Sequence, residues 1–145
     1  MSLSSPDIAN LRERPRHHPI GAFLLGGAVS FFIGSLLSDW AYFHTNEIQW
    51  KNFVSWLLMG GLVFGGFGLL WTLVELVRTN GSRQRGIIFF VLMLAVWILG
   101  FLNELVHAKD AFASMPEGLI ISFIVVVLAI AATVLGLSTL TSEGR

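Results

Sequence analysis

Polar and apolar positions along this chain separate into long blocks. Four segments carry no Asp, Glu, Lys or Arg: Pro19–Ser38, Asn52–Val74, Gly86–Asn103 and Gly118–Ser142. They are 20, 23, 18 and 25 residues long, and all 18 charged residues lie outside them. Crossing about 30 Å of hydrocarbon takes about 20 apolar residues of helix. Each block qualifies. One such run fits a buried helix of a water-soluble protein; four in one chain do not. None alternates with the period of two of an outer-membrane strand, and a single span must satisfy its own backbone hydrogen bonds in lipid. The pattern predicts an all-α integral membrane fold with four transmembrane helices. Extended into their flanks, the spans cover about 19–42, 52–77, 86–107 and 117–140, in one transmembrane domain with 1–16 as a polar N-terminal tail. Connections of about 13, 11 and 14 residues predict antiparallel neighbours, an up-down-up-down bundle.

Charge distribution adds an orientation. Arg12, Arg14 and Arg16 precede the first span, Arg78, Arg83 and Arg85 join spans two and three, and Arg145 ends the chain. Only Lys51 and Lys109 fall on the other side. The positive-inside rule then predicts an inner-membrane protein with both termini cytoplasmic. Trp40, Tyr42, Trp50 and Trp56 cluster at the outer boundary, where amphipathic rings favour the headgroup zone. The three arginines before span one also open a signal peptide. The apolar run is too long for a typical h-region and no A-x-A site follows, so an uncleaved anchor is expected.

Composition narrows the function. The chain has 145 residues, 54 % hydrophobic and 12 % charged, with a mean hydropathy of +0.75. Nine basic residues balance nine acidic ones, without the basic surplus that nucleic-acid binding needs. There is no cysteine, which excludes disulfides, thiolate metal sites and thiol catalysis. No charge stands near mid-span, against a charge-lined channel or proton-coupled carrier.

Small residues recur every four positions in span one, at Ala22, Gly26, Ser30, Gly34 and Ser38. Span two carries Gly60, Gly61, Gly65, Gly66 and Gly68. Such ridges let helix backbones approach in lipid, so the simple expectation is that spans one and two pack through Gly26, Ser30, Gly34, Gly61 and Gly65. A homodimer seam or a flat cofactor lying on the glycines is the sharper alternative.

Candidate chemistry collects at the outer end. If helix three continues past its apolar block, Asn103, His107 and Asp110 share a face with Glu104 beside them. Glu104-x-x-His107 has the spacing used in di-iron bundles, but such a site needs two copies and further glutamates. Asp39 and His44 are placed in the first outer loop. With Glu104, His107 and Asp110 they define a candidate outer polar cluster, and imidazole with carboxylate suits zinc, copper or non-haem iron. The plain reading is a polar helix end in the interface. His18, before Pro19, is a candidate inner-face residue, either a helix-cap neighbour or a haem ligand or quinone partner. His18 and His107 stand a span apart, about 30 Å, and cannot share one iron. Glu75 and Arg78 read as an interfacial ion pair.

Three stretches resemble the bacterial membrane family catalogued as domain of unknown function 2231. They are His18-Pro19-Ile20 with Ser38-Asp39-Trp40-Ala41-Tyr42, then Trp50 to Leu58, then Asn103 through Asp110 with Met115-Pro116-Glu117-Gly118-Leu119. The last resembles the family's N-x-x-V-H-x-[RK]-D-A…P-x-G-L pattern. The resemblance implies a four-helix membrane protein and singles out His18, Asp39, His107 and Asp110. Relatives are similar to small membrane partners of redox proteins, which implies electron transfer as one role. This chain lacks the C-terminal histidine of the pattern and a histidine near Gly86.

Two functions follow as expectations. The first is a non-catalytic scaffold or assembly partner in a membrane complex, in contact with the bilayer, with a membrane or periplasmic protein such as an oxidoreductase, or with its own copies. The alternative is a redox accessory protein holding a quinone, haem or metal at the outer cluster, with His107 as ligand or donor and carboxylates orienting it.

Overall fold

The computed structural model describes residues 19–78, 83–109 and 111–142, with backbone alone at 111, 112 and 137–142. Among these residues four α-helices form: α1 (Pro19–Thr45), α2 (Ile48–Arg78), α3 (Arg83–His107) and α4 (Glu117–Ser142). A 3₁₀ turn, Ala111–Ser114, lies between α3 and α4. All four helices are long and apolar enough to cross a membrane. α1 and α3 each pack against both α2 and α4, so the helices make a four-sided bundle.

The helices overrun the uncharged blocks. α1 continues through Asp39 to Thr45, and α3 through Glu104 to His107. Asp39 and His44 therefore lie in α1 and not in an outer loop. The physical reason is that Asp39 continues the inward stripe of α1, with Phe32, Ser35, Ser38 and Tyr42, all buried. A charged residue partnered inside the bundle does not end a helix. The connection from α1 to α2 shrinks to Asn46 and Glu47. Asn46 sits in the left-handed region at φ 55°, and its N–H donates to the Tyr42 carbonyl at 2.8 Å. That caps α1, in the conformation asparagine tolerates better than most residues.

Large apolar side chains face outward as well as inward. Trp56 and Val77 are each 79 % exposed, and Phe23, Leu37, Phe67 and Val134 also face out. Inside, Phe32, Val54, Leu58, Val96, Val125 and Ala129 form the core. An apolar exterior around an apolar core suits a lipid surround, where apolar exposure carries no penalty.

Glycines admit aromatic rings. A Cβ on Gly61 would lie 2.7 Å from the Phe32 ring and one on Gly60 2.7 Å from Phe31, and one on Gly27 would run into the Phe64 ring. Trp97 lies over Gly65 and Gly66 and donates its indole N–H to the Leu62 carbonyl at 3.0 Å. Rings of this same chain thus occupy the glycine faces where a flat cofactor could have lain. Gly34 meets Leu57, but Gly26 has nothing near its missing Cβ and Ser30 is exposed. The upper half of the small-residue ridge faces outward; α1 meets α2 through Gly27 and Gly34. Ser30 returns its hydroxyl to the Gly26 carbonyl at 2.8 Å, which satisfies it on a lipid-facing surface.

Candidate functional site

The inward stripes of three helices carry polar residues at one end of the bundle. On α3 the buried positions are Met93, Val96, Gly100, Asn103 and His107, spaced three or four apart. The first three are apolar or small; the last two are polar. On α4, Gly118 and Ser122 precede Val125 and Ala129 on the buried side. On α1 the stripe ends in Asp39 and Tyr42. Packing α1, α3 and α4 brings Asp39, Asn103, His107 and Ser122 together. Asp39 and Asn103 are 0 % exposed and His107 is 2 % exposed.

Their hydrogen bonds close a ring. The Asn103 amide donates from Nδ2 to Ser122 Oγ at 2.7 Å. Ser122 donates to Asp39 Oδ2 at 2.5 Å. Asp39 Oδ1 lies 2.7 Å from His107 Nε2. His107 Nδ1 lies 2.9 Å from the Asn103 carbonyl, four residues back on its own helix. That carbonyl can only accept, so Nδ1 carries a proton and donates. One further proton occupies the bond between Asp39 and Nε2. Whether it resides on oxygen or nitrogen, the pair has zero net charge. That neutrality is what makes burial of two ionisable groups tolerable in an apolar surround.

Gly118 completes the enclosure. A Cβ there would stand 2.6 Å from His107 Cε1 and 2.9 Å from Nε2. The absence of a side chain lets the α4 backbone lie against the imidazole. Lys51 ties the same end from outside the ring. Its ammonium donates to the Lys109 carbonyl at 2.7 Å and to Ser114 Oγ at 3.3 Å. Lys109 and Glu117 form an exposed contact at 3.7 Å, worth little in water.

The order of groups decides what the ring can do. In a hydrolytic triad, serine is hydrogen-bonded to histidine, which removes its proton, and aspartate orients the histidine. Here Ser122 donates to Asp39, and His107 sits on the far side of that carboxylate. No serine oxygen is activated by an imidazole. Nor is a ring nitrogen of His107 open to a metal, because both are hydrogen-bonded to oxygens of the chain.

Of the sequence candidates, Asp39 and His107 meet directly. Glu104 lies one turn before His107, half-buried, and its Oε2 is buried without a hydrogen-bond partner. His44 is elsewhere: exposed on the last turn of α1, its ring 4.7 Å from that of Trp40 and 5.6 Å from that of Phe43. It is on the outward side, where it does not join the ring. Among the described residues, no three His, Asp or Glu gather as a metal site. His18 and Asp110 lie outside the described residues. Sequence reasoning passed over Ser122 and met Gly118 only as part of the family pattern. Their signal was present: a serine in the first turns of the most apolar span, separated by ten residues from the next hydroxyl after it, with a glycine one turn before it.

A family model described as predicted membrane protein (DUF2231) matches residues 17–144. No curated protein and no solved structure matches the chain. The matched stretch covers nearly the whole chain, which belongs to that family.

Proposed function

We propose that this member of the DUF2231 membrane family is a non-catalytic scaffold or assembly subunit of a membrane complex. In this reading the polar ring is a latch that fixes α1, α3 and α4 in one arrangement. The observation that carries it is the closure of the ring. His107 has both nitrogens committed within the protein, and Ser122 serves Asp39 as donor. The groups that chemistry would need are used to hold helices together. Polar groups buried between membrane helices pair with one another across the helix seams.

The proposal includes an up-down-up-down path with both termini on the cytoplasmic side of a bacterial inner membrane. Contacts at the two ends support the alternation. The ring joins the last turns of α1 and α3 to the first turns of α4, with the start of α2 held by Lys51. At the opposite end Gly21 lies by Trp71, Gly86 by Leu76 and Gly136 by Phe89. Arg78, Arg83 and Arg85 belong to that second end, the one a positive-inside arrangement places in the cytoplasm.

The test is a reduced-minus-oxidised visible spectrum and metal analysis on detergent-purified protein, wild type and His107→Ala. The scaffold reading expects no haem band and no stoichiometric metal in either, with a lowered unfolding temperature in the variant. A haem band or stoichiometric metal that His107→Ala removes overturns it in favour of electron transfer.

A further inference from the structure

The connection from α3 to α4 begins and ends at the polar ring. His107 is the last residue of α3, and Gly118, in the first turn of α4, lies against its imidazole. Between them the chain passes through the 3₁₀ turn Ala111–Ser114, which packs back on α3. Lys109 and Glu117, on either side of that turn, are exposed. His107 is enclosed all the same, although it stands at a helix end beside these charges. Its enclosure therefore depends on how the connection and the start of α4 are seated.

Little apolar burial seats the connection. Ala108, Ala113 and Pro116 are exposed and Met115 is half-buried; among its described side chains Ser114 alone is buried. The helices, by contrast, meet through fully buried Phe32, Val54, Leu58 and Val125. Lys51, in the first turn of α2, reaches across to the connection on both sides of its turn. One ammonium donates to the Lys109 carbonyl before the turn and to the Ser114 hydroxyl at its end. Charge-assisted bonds of this kind are the stronger class. Segments with few buried apolar contacts open locally at lower free energy than helix cores. We propose that the α3–α4 connection is a strap pinned by Lys51, whose release exposes His107 and Asp39 to water while the four helices stay packed. The ring joins the helices, and the strap sets whether its ionisable pair meets the aqueous phase. The strap does not rest on the scaffold role, because its test reads access to His107 and not the presence of a cofactor.

Histidine modification by diethylpyrocarbonate tests this, read residue by residue by mass spectrometry on the full-length protein in detergent. Amide hydrogen exchange is followed on the same samples. His44, exposed on α1, is the internal standard. In wild type His107 should react much more slowly than His44. Lys51→Met keeps the aliphatic stem and removes the ammonium. It should speed both the modification of His107 and amide exchange across the connection by about tenfold, the factor that loss of one hydrogen bond to a charged group carries. Exchange in the middle of the four helices should not change. Ser114→Ala leaves the bond to the Lys109 carbonyl in place and should act in the same direction by a smaller factor. A wild-type His107 as reactive as His44 overturns the proposal. So does a His107 that stays protected in Lys51→Met. Exchange that rises equally in the connection and in the helix centres also overturns it, because that marks loosening of the whole bundle.

Discussion

His107 and Asp39 illustrate how a single pair is weighed in lipid. Interhelical hydrogen bonds between neutral groups are worth only about 0.6–2 kcal/mol there, because the separated helices find other partners. Ser122→Ala removes such a bond and leaves Asp39 Oδ2 without its donor, so a loss of about 1–2 kcal/mol is expected. Removing one member of the ionisable pair is costlier, because the other is left buried alone. His107→Gln or Asp39→Asn should each destabilise by about 3–5 kcal/mol. The double variant should cost less than the sum of the two, since no unpaired charge remains. Thermal unfolding in detergent across the four proteins measures this coupling, and strict additivity would show that the pair does not act as a unit. Gly118→Ala belongs to the same set. Its methyl group would lie 2.6 Å from His107 Cε1, so it should displace the imidazole and reproduce most of the His107→Gln loss.

At the level of elements, small residues on one helix differ in what they meet. Gly27 and Gly61 receive the rings of Phe64 and Phe32, whereas Gly26 faces open space. Gly27→Ala and Gly61→Ala force a ring to move, and overpacking of this kind costs about 1–3 kcal/mol. Gly26→Ala meets nothing in the chain and should be neutral or slightly stabilising in the purified protein. A Gly26→Ala protein as unstable as Gly27→Ala would contradict the outward placement of that ridge. Trp97→Phe keeps the ring over Gly65 and loses the bond to the Leu62 carbonyl. It should cost about 1 kcal/mol, read from the same unfolding curves. The four-residue recurrence of Ala22, Gly26, Ser30 and Gly34 was legible in the sequence. Which side of the helix it lay on was not, since Gly26 and Gly27 differ by only about 100° of rotation around the helix axis.

For the whole molecule the cysteine-free sequence makes topology directly measurable. Glu47→Cys and Gly81→Cys place single thiols in the connections before α2 and before α3. In intact cells the first should react with a membrane-impermeant maleimide and the second only after the membrane is opened. The opposite pattern would reverse the proposed orientation, and labelling of both from one side would refute the alternating path. Four uncharged blocks, each long enough to cross hydrocarbon, determined from sequence alone that this is an all-α membrane protein with four helices long and apolar enough to span. That outcome was legible because the cost of burying charge in lipid acts on each segment separately, and composition records it. The motif Asn103 to Gly118 was also legible as a polar feature, but its partners were not. Charge content assigned Asp39 to a loop, although it is a buried helical residue bonded to His107, 68 positions away. It left out Ser122, which bonds Asp39 across 83 positions. It grouped His44 with them, although five residues after Asp39 on the same helix that side chain faces outward. Those assignments depend on how three inward stripes rotate and meet at one end of the bundle. Each stripe alone is compatible with several registers. Only mutual packing, with glycine at position 118 and rings seated on Gly27 and Gly61, selects the register in which every member of the ring finds its partner.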